Sequence, residues 1–213
     1  ITATNNVIVS DSKGNKIYGN KLTIKDEKIY TIVGDVIFEN IDDSIKLNTK
    51  KIIYNIYENQ IKTIGDTKII KNDTYFIDTS NIIYDIKNKK IFSKEKTFVE
   101  DLQSNKIEIE NFNFLLKESL LKANSAKIID KNLNHYELKK FYYDLKNNSI
   151  LGKDLTLNQN INLSNEKYLP RAKGRSFSMK DGSMILKKSI YTNCKKRDGC
   201  PPWSVKAEEV EHD

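Results

Sequence analysis

The chain has 213 residues, 38 % of them hydrophobic and 31 % charged, with 36 Lys and Arg against 29 Asp and Glu for a net charge of +7. That is enough for one or two domains with a real core, and no apolar run approaches the roughly 20 residues of a membrane-spanning helix. Positive charge favours anionic partners, but acidic residues nearly keep pace along most of the chain, so a mixed solvated surface is the simpler reading. The concentrated basic patches are Lys187-Lys188 and Lys195-Lys196-Arg197. Neither is interleaved with the aromatics of an RNA-binding sheet, so no nucleic acid partner is expected. No signal peptide is visible, and the start at Ile1 without a methionine reads as a mature or trimmed product.

The first 169 residues contain no proline and five glycines. Two-residue alternation dominates them, the mark of half-buried strands. Lys106-Ile107-Glu108-Ile109-Glu110 alternates polar and apolar, and Phe112-Asn113-Phe114 continues with the parity slipped by one at Asn111. A slip without loss of pattern predicts a β-bulge. The most helix-like stretch is 114–126, although Asn124-Ser125 and the flanking strand patterns weaken it. The longest alternating run goes from Leu155 to Leu163, with Gln159 at one inward position. These runs put Ile107, Ile109, Phe112, Phe114, Leu155, Leu157, Ile161 and Leu163 on an inward apolar face.

A longer period overlies the alternation. Leu22, Ile52, Ile82 and Phe112 are spaced by 30, and Phe141 follows 29 later. The text Ile-Ile-Tyr-Asn-Ile at 52–56 returns as Ile-Ile-Tyr-Asp-Ile at 82–86 and as Phe-Tyr-Tyr-Asp-Leu at 141–145. Gly34-Asp35 and Gly65-Asp66 form a second mark, loosely echoed by Gly152-Lys153-Asp154. Glu58-Asn59-Gln60 and Lys87-Asn88-Lys89-Lys90 read as hairpin turns. A period of this length predicts stacked units of two or three strands, each needing its neighbours to bury its apolar face. A parallel β-helix, an elongated β-jelly roll and a regular sandwich all fit. The turn spacing favours the all-β, elongated antiparallel jelly roll. Its inside either packs solid or leaves a greasy channel for acyl chains.

No catalytic constellation is present, and the chain reads as a non-enzyme without cofactor or metal. The two histidines, His135 and His212, have no triad partners at recognisable spacing. His135 falls in an apparent surface turn. Two cysteines and His212 are too few for a zinc site.

After Pro170 the texture changes. Arg171-Ala172-Lys173-Gly174-Arg175 reads as basic and flexible, and Asp181-Gly182 between two alternating runs is a hairpin signal. The second strand runs into Tyr191-Thr192-Asn193-Cys194, then a short polar loop, then Pro202-Trp203-Ser204-Val205-Lys206-Ala207 and Val210-Glu211-His212-Asp213. This stretch resembles the LptD family of outer-membrane lipopolysaccharide (LPS) assembly proteins. The 30-residue repeat is compatible with the family's OstA/LptA-like periplasmic domain, a match of pattern and not of motif.

The resemblance implies a periplasmic jelly roll over residues 1–193, and a cysteine-bearing connector over 194–213 leading into a C-terminal β-barrel beyond this chain. It implies that the roll receives LPS from an LptA-like bridge docked by edge-strand addition. The roll would pass the acyl chains to the barrel, which is plugged by an LptE-like lipoprotein, at the periplasmic face of a Gram-negative outer membrane. Cys194 takes the place of the family cysteine in Tyr-Thr-x-Cys, while Cys200 has a less certain counterpart. The two either pair with each other or await barrel cysteines, and the family's disulfides favour barrel partners slightly. Pro201 and Pro202, lacking backbone N–H groups, are expected to end strand pairing, with Trp203 anchoring the restart. The readings kept beside this one are a free-standing bridge protein of the LptA or LptC type and a structural β-solenoid without lipid.

Overall fold

The computed structural model of the chain describes residues 1–101, 105–160, 170–180, 183–194 and 203–212. It is all-β: one antiparallel sheet of 18 strands, with no helix among the described residues. The strands divide between two compact units. One comprises Ile1–Leu102 with Glu110–Lys117, and the other Gln103–Ile109 with Glu118–Asp213.

Unit 1 is a meander. It holds β1 (Thr2–Ser10), β2 (Asn15–Lys25), β3 (Ile29–Asn40), β4 (Ile45–Asn55), β5 (Gln60–Thr63), β6 (Asp66–Lys71), β7 (Tyr75–Ser80), β8 (Ile83–Asp85) and β9 (Lys90–Glu100). Both β5 and β6 pair with β4, so they are two halves of one strand interrupted at Ile64-Gly65. Likewise β7 and β8 both pair with β9, interrupted near Asn81. The 30-residue repeat is therefore a pair of long strands and their two turns.

The pairings of β2 with β3 and of β3 with β4 each carry a bulge near mid-strand. The β2–β3 register shifts between Tyr18 and Lys21, and the β3–β4 register between Val33 and Val36. The residues at the bends take left-handed backbone: Gly34 at φ +88°, Gly65 at +85°, Asn81 at +49°. Glycine and asparagine reach that region at little cost, which explains the recurring Gly-Asp mark. Because a bulge adds one residue, apolar side chains before and after it stay on the same side. Leu22, Ile52, Ile82, Phe112 and Phe141, the repeat positions just past the bends, are all buried.

In unit 1 the half-strands on either side of the bends cover one core. Phe38, Leu47, Ile61, Ile69 and Tyr84 are fully buried, with the Phe38 and Tyr84 rings edge to face at 5.8 Å. Each such side chain contributes about 1.5–3 kcal/mol of burial free energy. Turns from opposite strand ends meet across this core. Lys13 Nζ in the β1–β2 turn donates to Asn59 Oδ1 in the β4–β5 turn at 2.5 Å. Asp43 in the β3–β4 turn accepts from the Tyr84 hydroxyl at 2.5 Å and from Lys89 Nζ at 2.6 Å, while its carbonyl accepts from the buried Lys71 Nζ.

The repeated Tyr-Asn/Asp text has a double use. Asn55, Asp85 and Asp144 accept N–H groups of the following turn. The preceding tyrosines, Tyr54 and Tyr84, reach across to Asp11 and Asp43. Burial and the Asp11 carboxylate push Tyr54 up to about 12. Burial and the bond to Asp43 push Tyr84 higher still. Burial alone would raise Asp11, but hydrogen bonds from Asn15, Lys13 and Tyr54 outweigh it and hold the carboxyl below its ordinary value. Burial lowers Lys71, against the pull of Asp43.

The strand β10 (Lys106–Leu115) carries the bulge expected at Asn111. Its φ is +52°, and exposed Glu110-Asn111 separates buried Ile107 and Ile109 from buried Phe112 and Phe114. The helix-like reading of 114–126 is overturned. Those residues are the end of β10, a turn, β11 (Leu120–Ala123) and the start of β12 (Ser125–Ile129). Leu116 in the turn is itself buried, so two short strand halves flanking an inward turn residue imitate a 3.6-residue period.

Unit 2 continues as β13 (His135–Leu138), β14 (Lys140–Asp144), β15 (Ser149–Asn158), β16 (Arg171–Lys180), β17 (Ser183–Thr192) and β18 (Val205–His212). The basic 171–175 stretch is not a flexible linker. It is strand, with Arg171 to Gly174 paired in register with β15 and β17, and Ala172 and Gly174 face inward where small residues fit. Lys180 pairs with Ser183 around Asp181-Gly182, which lie outside the described residues. The core includes Phe141, Tyr143, Phe177 and Leu186, and the Tyr136 and Phe177 rings lie 6.0 Å apart. Tyr136 donates to Asp130 at 2.8 Å and is pushed up by burial and that bond. His135 opens β13 on an exposed position.

Candidate functional site

Of the eight inward positions read from the alternation, Ile107, Ile109, Phe112, Phe114, Leu155 and Leu157 are buried on the apolar side of their strands. Ile161 and Leu163 lie outside the described residues. The strand that begins this run, β15, ends at Asn158, where the Gln159 N–H donates to the Pro170 carbonyl. Burial does not make a groove. Around Phe112 and Phe114 the side chains are within 1 % of complete exclusion from solvent and leave no open channel to describe.

Space does open at the last strands of unit 2. A cavity of about 240 Å³ is lined by the apolar side chains Leu157, Ala172, Met184, Leu186, Tyr191 and Val210, together with Arg171 and Glu211 among its polar members. It is below the roughly 300–1,000 Å³ of a typical small-molecule pocket.

Val210 and Glu211 of β18 form one wall of this cavity. Among the described residues β18 pairs only with β17. Register places Val210 opposite Leu186 and Val205 opposite Tyr191. Val205 is 55 % exposed, Trp203 45 %, Val210 39 % and Tyr191 38 %. A row of large apolar side chains left wet is the informative departure here, since isolated exposed apolar residues are ordinary.

The expected junction residues meet at this same end. Trp203 stacks obliquely near Tyr191, rings 6.3 Å apart, and its carbonyl accepts from the Thr192 hydroxyl at 2.9 Å. Cys194 is buried, its N–H donates to Thr192 Oγ1 at 3.2 Å, its Sγ lies 3.9 Å from the Trp203 carbonyl oxygen, and its own carbonyl accepts from the Arg171 guanidinium. Cys200, Pro201 and Pro202 lie outside the described residues. Sequence reasoning missed Ala172, Met184, Leu186 and Val210 as cavity residues. Their alternation was legible, but the space beside them depends on long-range packing.

The second opening faces outward. Lys139, Asp154, Thr156, Lys173, Arg175, Lys188 and Ile190 line a cleft of about 460 Å³ over the bends of β15, β16 and β17. Among the described residues no three His, Cys, Asp or Glu side chains gather at metal-binding separation.

Comparison with protein-family models finds no match, and neither does comparison with curated proteins.

Proposed function

We propose that the chain is the N-terminal periplasmic domain of an LptD-like outer-membrane LPS-assembly protein. In this reading the bent antiparallel sheet is an elongated jelly roll whose apolar interior conducts lipid A acyl chains toward a C-terminal barrel. The observation that carries it is the apolar cavity at β15–β18, at the same end as the Trp203-Ser204-Val205-Lys206-Ala207 segment that resembles the family. An acyl segment there gains about 25 cal/mol for each Å² of apolar surface it covers. Unit 1 suits an LptA-like bridge: β1 pairs only with β2 among the described residues, leaving its second edge for strand addition. An LptE-like lipoprotein would act on the barrel.

One observation favours a second reading, a packed β-roll without lipid: the sealed core of unit 1, with Phe38 against Tyr84 and Asp43 tying turn to strand. Lipid A binding to the purified chain separates the two. Leu157→Trp, which fills the cavity, is expected to weaken binding at least tenfold, and outward Asn158→Trp to change it little, both variants keeping the wild-type far-UV circular dichroism. Equal binding by the two variants, or none by wild type, overturns the proposal. Reading the gene beyond Asp213 separates the LptD-like form from a bridge protein: roughly ten-residue alternating strands over several hundred residues mark a barrel.

A further inference from the structure

Each strand that crosses the bend of the sheet must show two successive residues to solvent. In unit 1 these pairs are chemically mixed, as at Gly34-Asp35, Lys50-Lys51, Gly65-Asp66 and Glu110-Asn111. In unit 2 they are Lys139-Lys140, Lys153-Asp154, Arg175-Ser176, Lys187-Lys188 and, on β18, Glu208-Glu209. As far as β17 the only anion among these pairs is Asp154, and β18 then contributes two. Register brings the cations together. Lys140 pairs directly with Lys153. Arg175 and Lys188 face one another between the pairs Gly174–Ser189 and Ser176–Lys187. Like charges opposed on neighbouring strands, about 4.8 Å apart, destabilise a sheet.

The protein neutralises this row in part, and Glu208 stands opposite Lys188 between the pairs Lys187–Glu209 and Ser189–Ala207. Lys187 binds Glu209 at 2.9 Å, and Lys139 reaches Asp154 at 3.9 Å. Among the described residues Lys173, Arg175 and Lys188 form no ion pair. These three line the 460 Å³ outward cleft together with Lys139 and Asp154, and Lys188 takes left-handed backbone at φ +51°. Three cations without an ion pair on one concave surface, including a guanidinium suited to paired oxygens, match the chemistry of a phosphate group.

We infer that the outward cleft over the bends of β15–β17 binds a phosphate ester through Lys173, Arg175 and Lys188. The cleft lies on the opposite face of the sheet from the apolar cavity, so the inference stands apart from the lipid-conducting reading. A lipid headgroup and a free phosphate share this chemistry, and the probes tell them apart. The intact chain is titrated with vesicles containing phosphatidylglycerol, with neutral phosphatidylcholine vesicles, and with inorganic pyrophosphate. The cleft variant Lys173→Gln/Arg175→Gln/Lys188→Gln is compared with Lys50→Gln/Lys62→Gln/Lys68→Gln, which removes the same charge from exposed positions of unit 1. At least tenfold weaker binding for the cleft variant alone supports the site. Seen with phosphatidylglycerol vesicles, the loss assigns a membrane-borne phosphate; seen with pyrophosphate, a soluble one. Equal loss in both variants, or no binding by wild type to either anionic probe, overturns the inference.

Discussion

Replacing Tyr84 by Phe tests the latch that closes unit 1. Tyr84 is completely buried and its hydroxyl donates to the Asp43 carboxylate at 2.5 Å. A hydrogen bond to a charged group contributes about 1.5–3 kcal/mol, so Tyr84→Phe is expected to destabilise by about that amount at pH 7. In urea, with a slope of about 2 kcal/mol per M, the midpoint falls by about 1 M. Far-UV circular dichroism is the readout, because the single tryptophan, Trp203, belongs to unit 2. Alkali gives a sharper signature. Tyr84 is raised in the folded state, first by burial and then by Asp43, while the unfolded phenol keeps its ordinary value near 10. Above pH 10 the unfolded chain sheds a proton that the folded chain retains. Wild-type stability therefore falls by about 1.4 kcal/mol per pH unit relative to the Phe variant, which has nothing to titrate. The gap is full below pH 10, smaller by about 1.4 kcal/mol at pH 11, and closing beyond. A gap unchanged between pH 8 and pH 11, or a Phe variant as stable as wild type at pH 7, refutes the latch.

The bends make two further predictions. At Asn111, φ +52°, Asn111→Gly is expected to stay within a few tenths of a kcal/mol of wild type, and Asn111→Val to cost about 1–2 kcal/mol; equal stability of the two in urea would remove the bulge from the account. Gly65 and Gly152 differ in kind. At Gly65, φ +85° with nothing within 4 Å of an added Cβ, Asn is expected to be tolerated. At Gly152 the Cβ of alanine meets Leu138 Cδ2 at 2.7 Å and the Lys140 carbonyl oxygen at 2.9 Å, so Gly152→Ala is expected to cost about 1–3 kcal/mol by overpacking. Thermal midpoints of the two variants in the opposite order would contradict the packing described.

Strand content and inward parity were legible because alternation is local: six of the eight inward positions can be followed, and all six are buried. The bulge at Asn111 was legible because apolar runs flank it on both sides. The matching bends at Lys50-Lys51, Lys153-Asp154 and Lys187-Lys188 hid in plain polar pairs, where a parity slip leaves little trace. The false helix at 114–126 came from an inward-facing turn residue, Leu116, which closed the gap between two strand halves. The tyrosine–aspartate contacts were illegible for another reason: Tyr54 and Asp11 are 43 residues apart, Tyr84 and Asp43 are 41 apart, and nothing local joins them. The interior itself divides the same way. Which side chains face in is a property of each strand. Whether space remains between them depends on long-range packing, which seals Phe38 against Tyr84 in one place and leaves Val210 part exposed in another.

The central claim is that acyl chains occupy the inward face at β15–β18. Photo-crosslinking amino acids placed in cells at Leu157 and Met184, which line the apolar cavity, and at Asn158 and Ile185 on the opposite parity address it directly. LPS adducts at 157 and 184, absent at 158 and 185, are the predicted result. Adducts at 158 and 185, or none at any of the four positions, would contradict it.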